Sequence, residues 1–120
     1  MKNLFFLIIS YVFMVWATTS YADTPDCSGV NNWAGTMAFL HLKNAELINN
    51  LDIDLTKTKV TLIASEKIDK DLYRQVHTVL FKKKTGEVIK VITINNASNV
   101  ECSMSGVDVY VISERLGDYR

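Results

Sequence analysis

Residues 73–95 read YRQVHTVLFKKKTGEVIKVITIN, and the rest of the chain is arranged around them. Val, Ile, Thr, Tyr and Phe dominate both arms, and these side chains suit the pleated, half-buried surface of a strand. Lys84-Thr85-Gly86 separates the arms and supplies the glycine that a short hairpin loop favours. The stretch therefore reads as two antiparallel strands. In the first arm Val76, Thr78 and Leu80 alternate with Tyr73, Gln75, His77, Val79 and Phe81; in the second, Ile89 and Val91 alternate with Val88, Lys90, Ile92 and Ile94. Neither set is purely polar, so both faces of the hairpin carry side chains that can make contacts.

Working outward, a charged turn at Lys67-Ile68-Asp69-Lys70 precedes the hairpin, and before it residues 56–66 read as a strand. Val60, Leu62 and Ala64 share one face of that strand, with Thr61, Ile63 and Ser65 on the other. After the hairpin comes a turn-rich loop over 95–106 and then a last strand, with Val107, Val109 and Val111 opposite Asp108, Tyr110 and Ile112. Gly117 opens a short polar tail. Upstream, Asn31 or Asn32 can cap a helix over 33–49, which ends at Asn49-Asn50-Leu51-Asp52. At 100° per residue Trp33, Met37, Leu40, Leu47 and Ile48 share its apolar face, edged by Ala34, Ala38, His41 and Ala45. Gly35, Thr36, Lys43 and Glu46 fall opposite, together with Phe39 and Leu42. Those two apolar residues need either a second covering surface or a contact partner.

The order is one helix and four strands with short connections. It predicts a single small α+β domain, in which one N-terminal helix packs on a four-stranded antiparallel sheet, α-β-β-β-β. This layout is similar to the cystatin-like fold in the order of its elements. Cystatins carry a Gln-Val-Val-Ala-Gly hairpin, of which Gln75-Val76-His77-Thr78-Val79 keeps only Gln-Val and lacks the glycine. The resemblance implies the layout rather than a protease plug.

Lys2, the apolar run from Leu4 to Trp16 and the small-residue end Ser20-Tyr21-Ala22 have the form of a secretory signal peptide, with cleavage expected after Ala22. The run is shorter than the roughly 20 residues a transmembrane helix needs. Residues 1–22 are thus expected to be removed, leaving 23–120 as an exported domain, periplasmic in a Gram-negative bacterium and otherwise secreted. The chain has 13 basic and 13 acidic residues, and loss of Lys2 leaves one acidic residue in excess. That balance gives no general attraction to nucleic acid or to an anionic membrane. Its two cysteines, Cys27 and Cys102, both lie in the exported part, and in an oxidising compartment they are expected to form a disulfide. Closing so long a loop is worth on the order of 4 kcal/mol by chain entropy.

Residues with chemical potential are few. His41 on the helix and His77 in the hairpin could approach each other, but a metal site usually takes a third ligand and the sequence offers none, so no cofactor is expected. Lys84-Thr85-Gly86 matches a short element of β-lactamases, yet the companion Ser-x-x-Lys and Ser-Asp-Asn elements are missing, and a hairpin turn accounts for it. Asp52, Asp54, Glu66, Asp69 and Asp71 read as solvated loop carboxylates. Lys82-Lys83-Lys84 reads as a solvated hairpin tip or a rim for an acidic protein partner. Asn96-Ala97-Ser98 has the pattern of a glycosylation acceptor.

With no catalytic set, the chain is expected not to be an enzyme. The leading expectation is a small binding protein of the cell envelope, an inhibitor or immunity protein acting on a protein partner. The alternative is a small-ligand carrier or accessory protein with a pocket between helix and sheet, lined by Trp33, Met37 and residues of the hairpin. For partner binding, the aromatic set Tyr73, His77 and Phe81 is expected to face outward with Tyr110, leaving Val76 and Leu80 towards the helix. Phe39 and Leu42 are the other surface considered.

Overall fold

A computed structural model of the chain describes residues 24–112. The expected signal peptide, and the tail after the last strand, lie outside the described residues. Among the described residues one α-helix, α1 (Trp33–Asn44), is followed by a 3-10 turn (Leu55–Lys57) and four strands: β1 (Lys59–Asp69), β2 (Leu72–Lys82), β3 (Val88–Ala97) and β4 (Asp108–Ile112). The strands form an antiparallel meander in the order β1-β2-β3-β4, as the helix-then-strands sequence predicts. No helix among the described residues is long and apolar enough to cross a membrane.

The central hairpin pairs β2 with β3 without interruption from Tyr73↔Ala97 to Lys82↔Val88. Its reversal lies in 83–87, where Gly86 adopts φ +94°, a conformation that costs glycine little and other residues much. The β1–β2 connection is tighter than expected. The first strand starts later than residue 56 and runs on through the charged segment to Asp69, so the chain reverses at Lys70 and Asp71, with Asp71 at φ 45°.

The first strand also breaks its alternation. A register shift between Leu62 and Ala64 makes Ile63 an extra residue, so Ala64 pairs with Val76 while Ser65 pairs with Gln75. Val60, Leu62 and Ser65 thus share the face towards the helix, and Ala64 leaves it, contrary to the plain period-two reading.

The helix is shorter than 33–49 and turned about its axis relative to the expected face. It stops because Glu46 takes φ 60° and the N–H groups of Glu46 and Leu47 donate to the carbonyls of Lys43 and Leu42, the pairing of a Schellman cap. Its buried residues are Ala34, Gly35, Ala38 and Leu42, while Leu40 and Leu47 are exposed. The small residues explain the rotation: with Ala34, Gly35 and Ala38 inward, the helix backbone can lie close to its neighbours. A Cβ at Gly35 would stand 2.6 Å from the Val30 carbonyl oxygen and 3.3 Å from Val60 Cγ2. Leu42 and Phe39 therefore find their cover in the core itself. Ala38, Leu42, Ile48, Ile53, Val79, Phe81 and Val91 form that core, with Phe39, Val60, Ile89 and Val109 packed on it.

Helix α1 covers only part of this sheet face. The remainder lies under the lead-in 24–30, which the Cys27–Cys102 disulfide, with its Cα atoms 5.8 Å apart, ties to the loop before β4. Gln75 Nε2 donates to the Pro25 carbonyl at 2.8 Å, and Thr24 Oγ1 donates to Ser65 Oγ at 2.9 Å. The indole N–H of Trp33 donates to the Ser105 carbonyl at 2.8 Å, which joins the start of the helix to the same loop.

Candidate partner-binding face

Strand alternation and the observed register give the sheet two unlike faces. On the inner face, rows run Val60–Val79–Val91–Val111 and Leu62–His77–Thr93–Val109 across the four strands. On the outer face the corresponding rows are Lys59–Leu80–Lys90–Ile112 and Thr61–Thr78–Ile92–Tyr110, with Val76 and Ile94 beyond them. No described helix or loop is layered over this outer face. The layer formed by α1 and the lead-in lies on the other side.

This assignment corrects the expected orientation of the hairpin. Tyr73, His77 and Phe81 point inward and are 7 %, 0 % and 1 % exposed, and Val76 and Leu80 face outward instead. The cause is the cover on the inner side. Phe81 packs against Phe39 with ring centroids 6.1 Å apart, inside the core cluster. Tyr73 and His77 lie further along the same row of alternate residues, in the half of the face that the lead-in occupies. Tyr110 does lie on the outer face, 55 % exposed, beside Ile92.

The inner half beneath the lead-in is polar. Gln75 pairs across the strands with Asn95, and His77 with Thr93, and all four side chains are buried. Asn95 Nδ2 donates to the Cys102 carbonyl at 3.0 Å, but Gln75 Oε1, Thr93 Oγ1, Asn95 Oδ1 and both ring nitrogens of His77 have no protein partner. Burial lowers the His77 pKa from its ordinary 6.5, opposed by the Asp26 carboxylate. Unpaired buried groups of this kind cost about 1–3 kcal/mol each, so this half depends on the disulfide and the Pro25 bond more than on apolar burial.

The other chemical candidates resolve into structural roles. His41 is exposed on α1 while His77 is buried in β2, and no group of three potential metal ligands occurs among the described residues. Asp54 accepts from the Thr56 hydroxyl and N–H at the start of the 3-10 turn, and these bonds lower its pKa. Asp26 is held low in the same way by Ser28. Asp71 accepts from the backbone and side-chain amides of Asn99, fastening the β1–β2 turn to the loop after β3. Ser98, the last residue of the glycosylation pattern, is buried and bonds within the 98–101 turn.

An open cavity of about 650 Å³ lies where β4 begins, lined by Met37, His41, Arg74, Asn95 and Asp108 among others. Met37 lines this cavity, whereas Trp33 is not among its lining residues. The chain matches no known protein family, no curated protein and no solved structure.

Proposed function

We propose that the chain is a small exported, disulfide-stapled binding protein of the cell envelope, an inhibitor or immunity protein, that engages a protein partner through the outer face of its sheet. The single observation behind this proposal is that face: Val76, Leu80, Ile92, Ile94, Tyr110 and Ile112 lie together on a side of the sheet where no described element is layered. Strands about 4.8 Å apart and 20–35 Å long give such a face on the order of 500 Å². That approaches the roughly 800 Å² per partner of a standard interface. An apolar centre that includes an aromatic residue, here Tyr110, inside a polar rim is the anatomy of a protein contact. We read the helix-and-meander order as cystatin-like, with docking by the sheet in place of a hairpin plug. In this reading the chain catalyses nothing and carries no cofactor.

The test is capture from envelope extract by the immobilised chain 23–120, beside its Ile92→Asp and Tyr110→Asp variants. Both variants should keep their far-ultraviolet circular dichroism and melt within a few degrees of the parent, yet lose the retained protein. Equal capture by parent and folded variants refutes the docking face.

A ligand carrier is the second reading, favoured by one feature of the 650 Å³ cavity: its lining residue Asn95 is 3 % exposed and its Oδ1 has no protein partner. Native mass spectrometry of the chain purified from its own host distinguishes the two, since a bound small molecule at one equivalent favours the carrier.

A further inference from the structure

The outer face is not electrically uniform. Lys59, Lys82 and Lys90 all lie on it, at the end nearest the β2–β3 turn, and all three are exposed. Lys59 and Lys90 pair with Leu80 from opposite sides. Each backbone is therefore about 4.8 Å from that of Leu80, and Lys82, two residues along the strand, is about 7 Å from it. The three charges surround one apolar side chain within roughly a Debye length of one another, so ordinary salt does not fully screen their repulsion.

Nearby lysines behave differently. Lys83 pairs with Glu87 at 3.4 Å and Lys57 with Asp54 at 3.8 Å, whereas none of the outer-face three has a carboxylate within salt-bridge distance among the described residues. The acidic residues of this face, Glu66, Asp69 and Asp108, belong to its other end, where their partners in strand register are Arg74, Leu72 and Ile94. None of the three lysines directly opposes another, but at this spacing they repel rather than attract, so the folded domain alone gains nothing from the arrangement.

We propose that the partner is an acidic protein, whose carboxylates meet Lys59, Lys82 and Lys90 around an apolar contact on Leu80. This rests on the reading of the outer face as a docking surface. Charge complementarity selects this occupant. The apolar rows supply the contact area, and the lysine end fixes its orientation and accelerates encounter.

The experiment identifies the protein retained from envelope extract and measures its affinity for the chain, both purified, at low and high salt. Three variants are compared: Lys59→Glu/Lys82→Glu/Lys90→Glu, the milder Lys→Gln set at the same positions, and a charge-matched control, Lys43→Glu/Lys67→Glu/Lys70→Glu. Loss of three rim pairs should weaken binding about tenfold or more, with a flattened salt dependence, while the control stays close to the parent. The Lys→Gln set should fall between them, which keeps the test valid if triple reversal disturbs folding. If Ile92→Asp and Tyr110→Asp abolish binding but the lysine variants and salt do not change it, the acidic-partner inference is overturned and the docking face stands. Two further outcomes overturn it: binding of phosphatidylglycerol vesicles with no protein retained, or self-association in sedimentation that the triple variant removes. Binding indifferent to every variant overturns both proposals.

Discussion

Phe81 and Leu80 are neighbours on one strand with opposite surroundings, and replacing each by alanine tests the whole assignment of faces. Phe81 is 1 % exposed and packs on Phe39 within the main core. Truncating a buried phenylalanine costs about 3–5 kcal/mol, the sum of lost transfer energy and the cavity left behind. Leu80 is half-buried by its own sheet neighbours with no layer above it, so its truncation forfeits only part of the 1.5–3 kcal/mol of full burial, about 1 kcal/mol. A domain of this size has on the order of 5–10 kcal/mol in total, so Phe81→Ala removes about half of it. With a urea m-value of about 1.5 kcal/mol/M, the unfolding midpoint should fall by about 2–3 M for Phe81→Ala and by less than about 1 M for Leu80→Ala. Equal losses would mean that the outer face is covered in solution and is not free to dock a partner.

Three further outcomes are expected. Replacing Cys27 and Cys102 by serine should lower stability by up to about 4–5 kcal/mol on the chain-entropy estimate, given their sequence separation of 75, and an unchanged melting temperature would show that the staple contributes nothing. Gly35→Ala should destabilise by about 1–3 kcal/mol although alanine is the better helix former, because its Cβ meets the Val30 carbonyl; a rise in melting temperature would contradict the close approach. His77 has a folded-state pKa below 6.5, so the unfolded chain takes up its proton first: its stability contribution is full above about pH 6.5 and falls by up to about 1.4 kcal/mol per pH unit on acidification until the folded pKa is reached. Urea titrations across pH should show that slope in the parent and lose it in His77→Gln. Asp26 and Asp54 act in a separate, more acid window, below their ordinary 3.8.

How much of this was legible in the chain depends on where each signal lies. The hairpin, its turn and the order of strands are written in local composition, since β-branched runs and a glycine at a reversal carry their own physical meaning. The Cys27–Cys102 pair is equally plain, because two cysteines allow one bridge. The helix end was hidden because Glu46 fills the left-handed position that Asn or Gly usually marks. Its buried face is not the one periodicity marks, because weighting large apolar residues favours Leu40 and Leu47, whereas close approach selects Ala34, Gly35 and Ala38. The bulge after Leu62 has no local signature, and it alone moves Ala64 out and Ser65 in.

The inward turn of Tyr73, His77 and Phe81 has its cause in what covers the sheet rather than in the strand. On its own β2 offers two candidate faces, one aromatic with polar tips and one of Val76, Thr78 and Leu80. Surface chemistry alone favours exposing Gln75 and His77, because burying unpaired polar groups is costly. What reverses that preference is the cover on the inner side, the α1 core over the Phe81 end and a segment distant in sequence over the Tyr73 end. Residues 24–30 carry little apolar character of their own, yet Cys27 draws them towards Cys102, and Gln75 then finds the Pro25 carbonyl. Once this second cover is in place, it and α1 together span the face that begins at Phe81 and ends at Tyr73. The bulky side chains turn in beneath them, and the smaller aliphatic row of β2 is left outside. The exposed apolar face thus follows from α1 and the disulfide-held lead-in together covering the opposite side of the sheet.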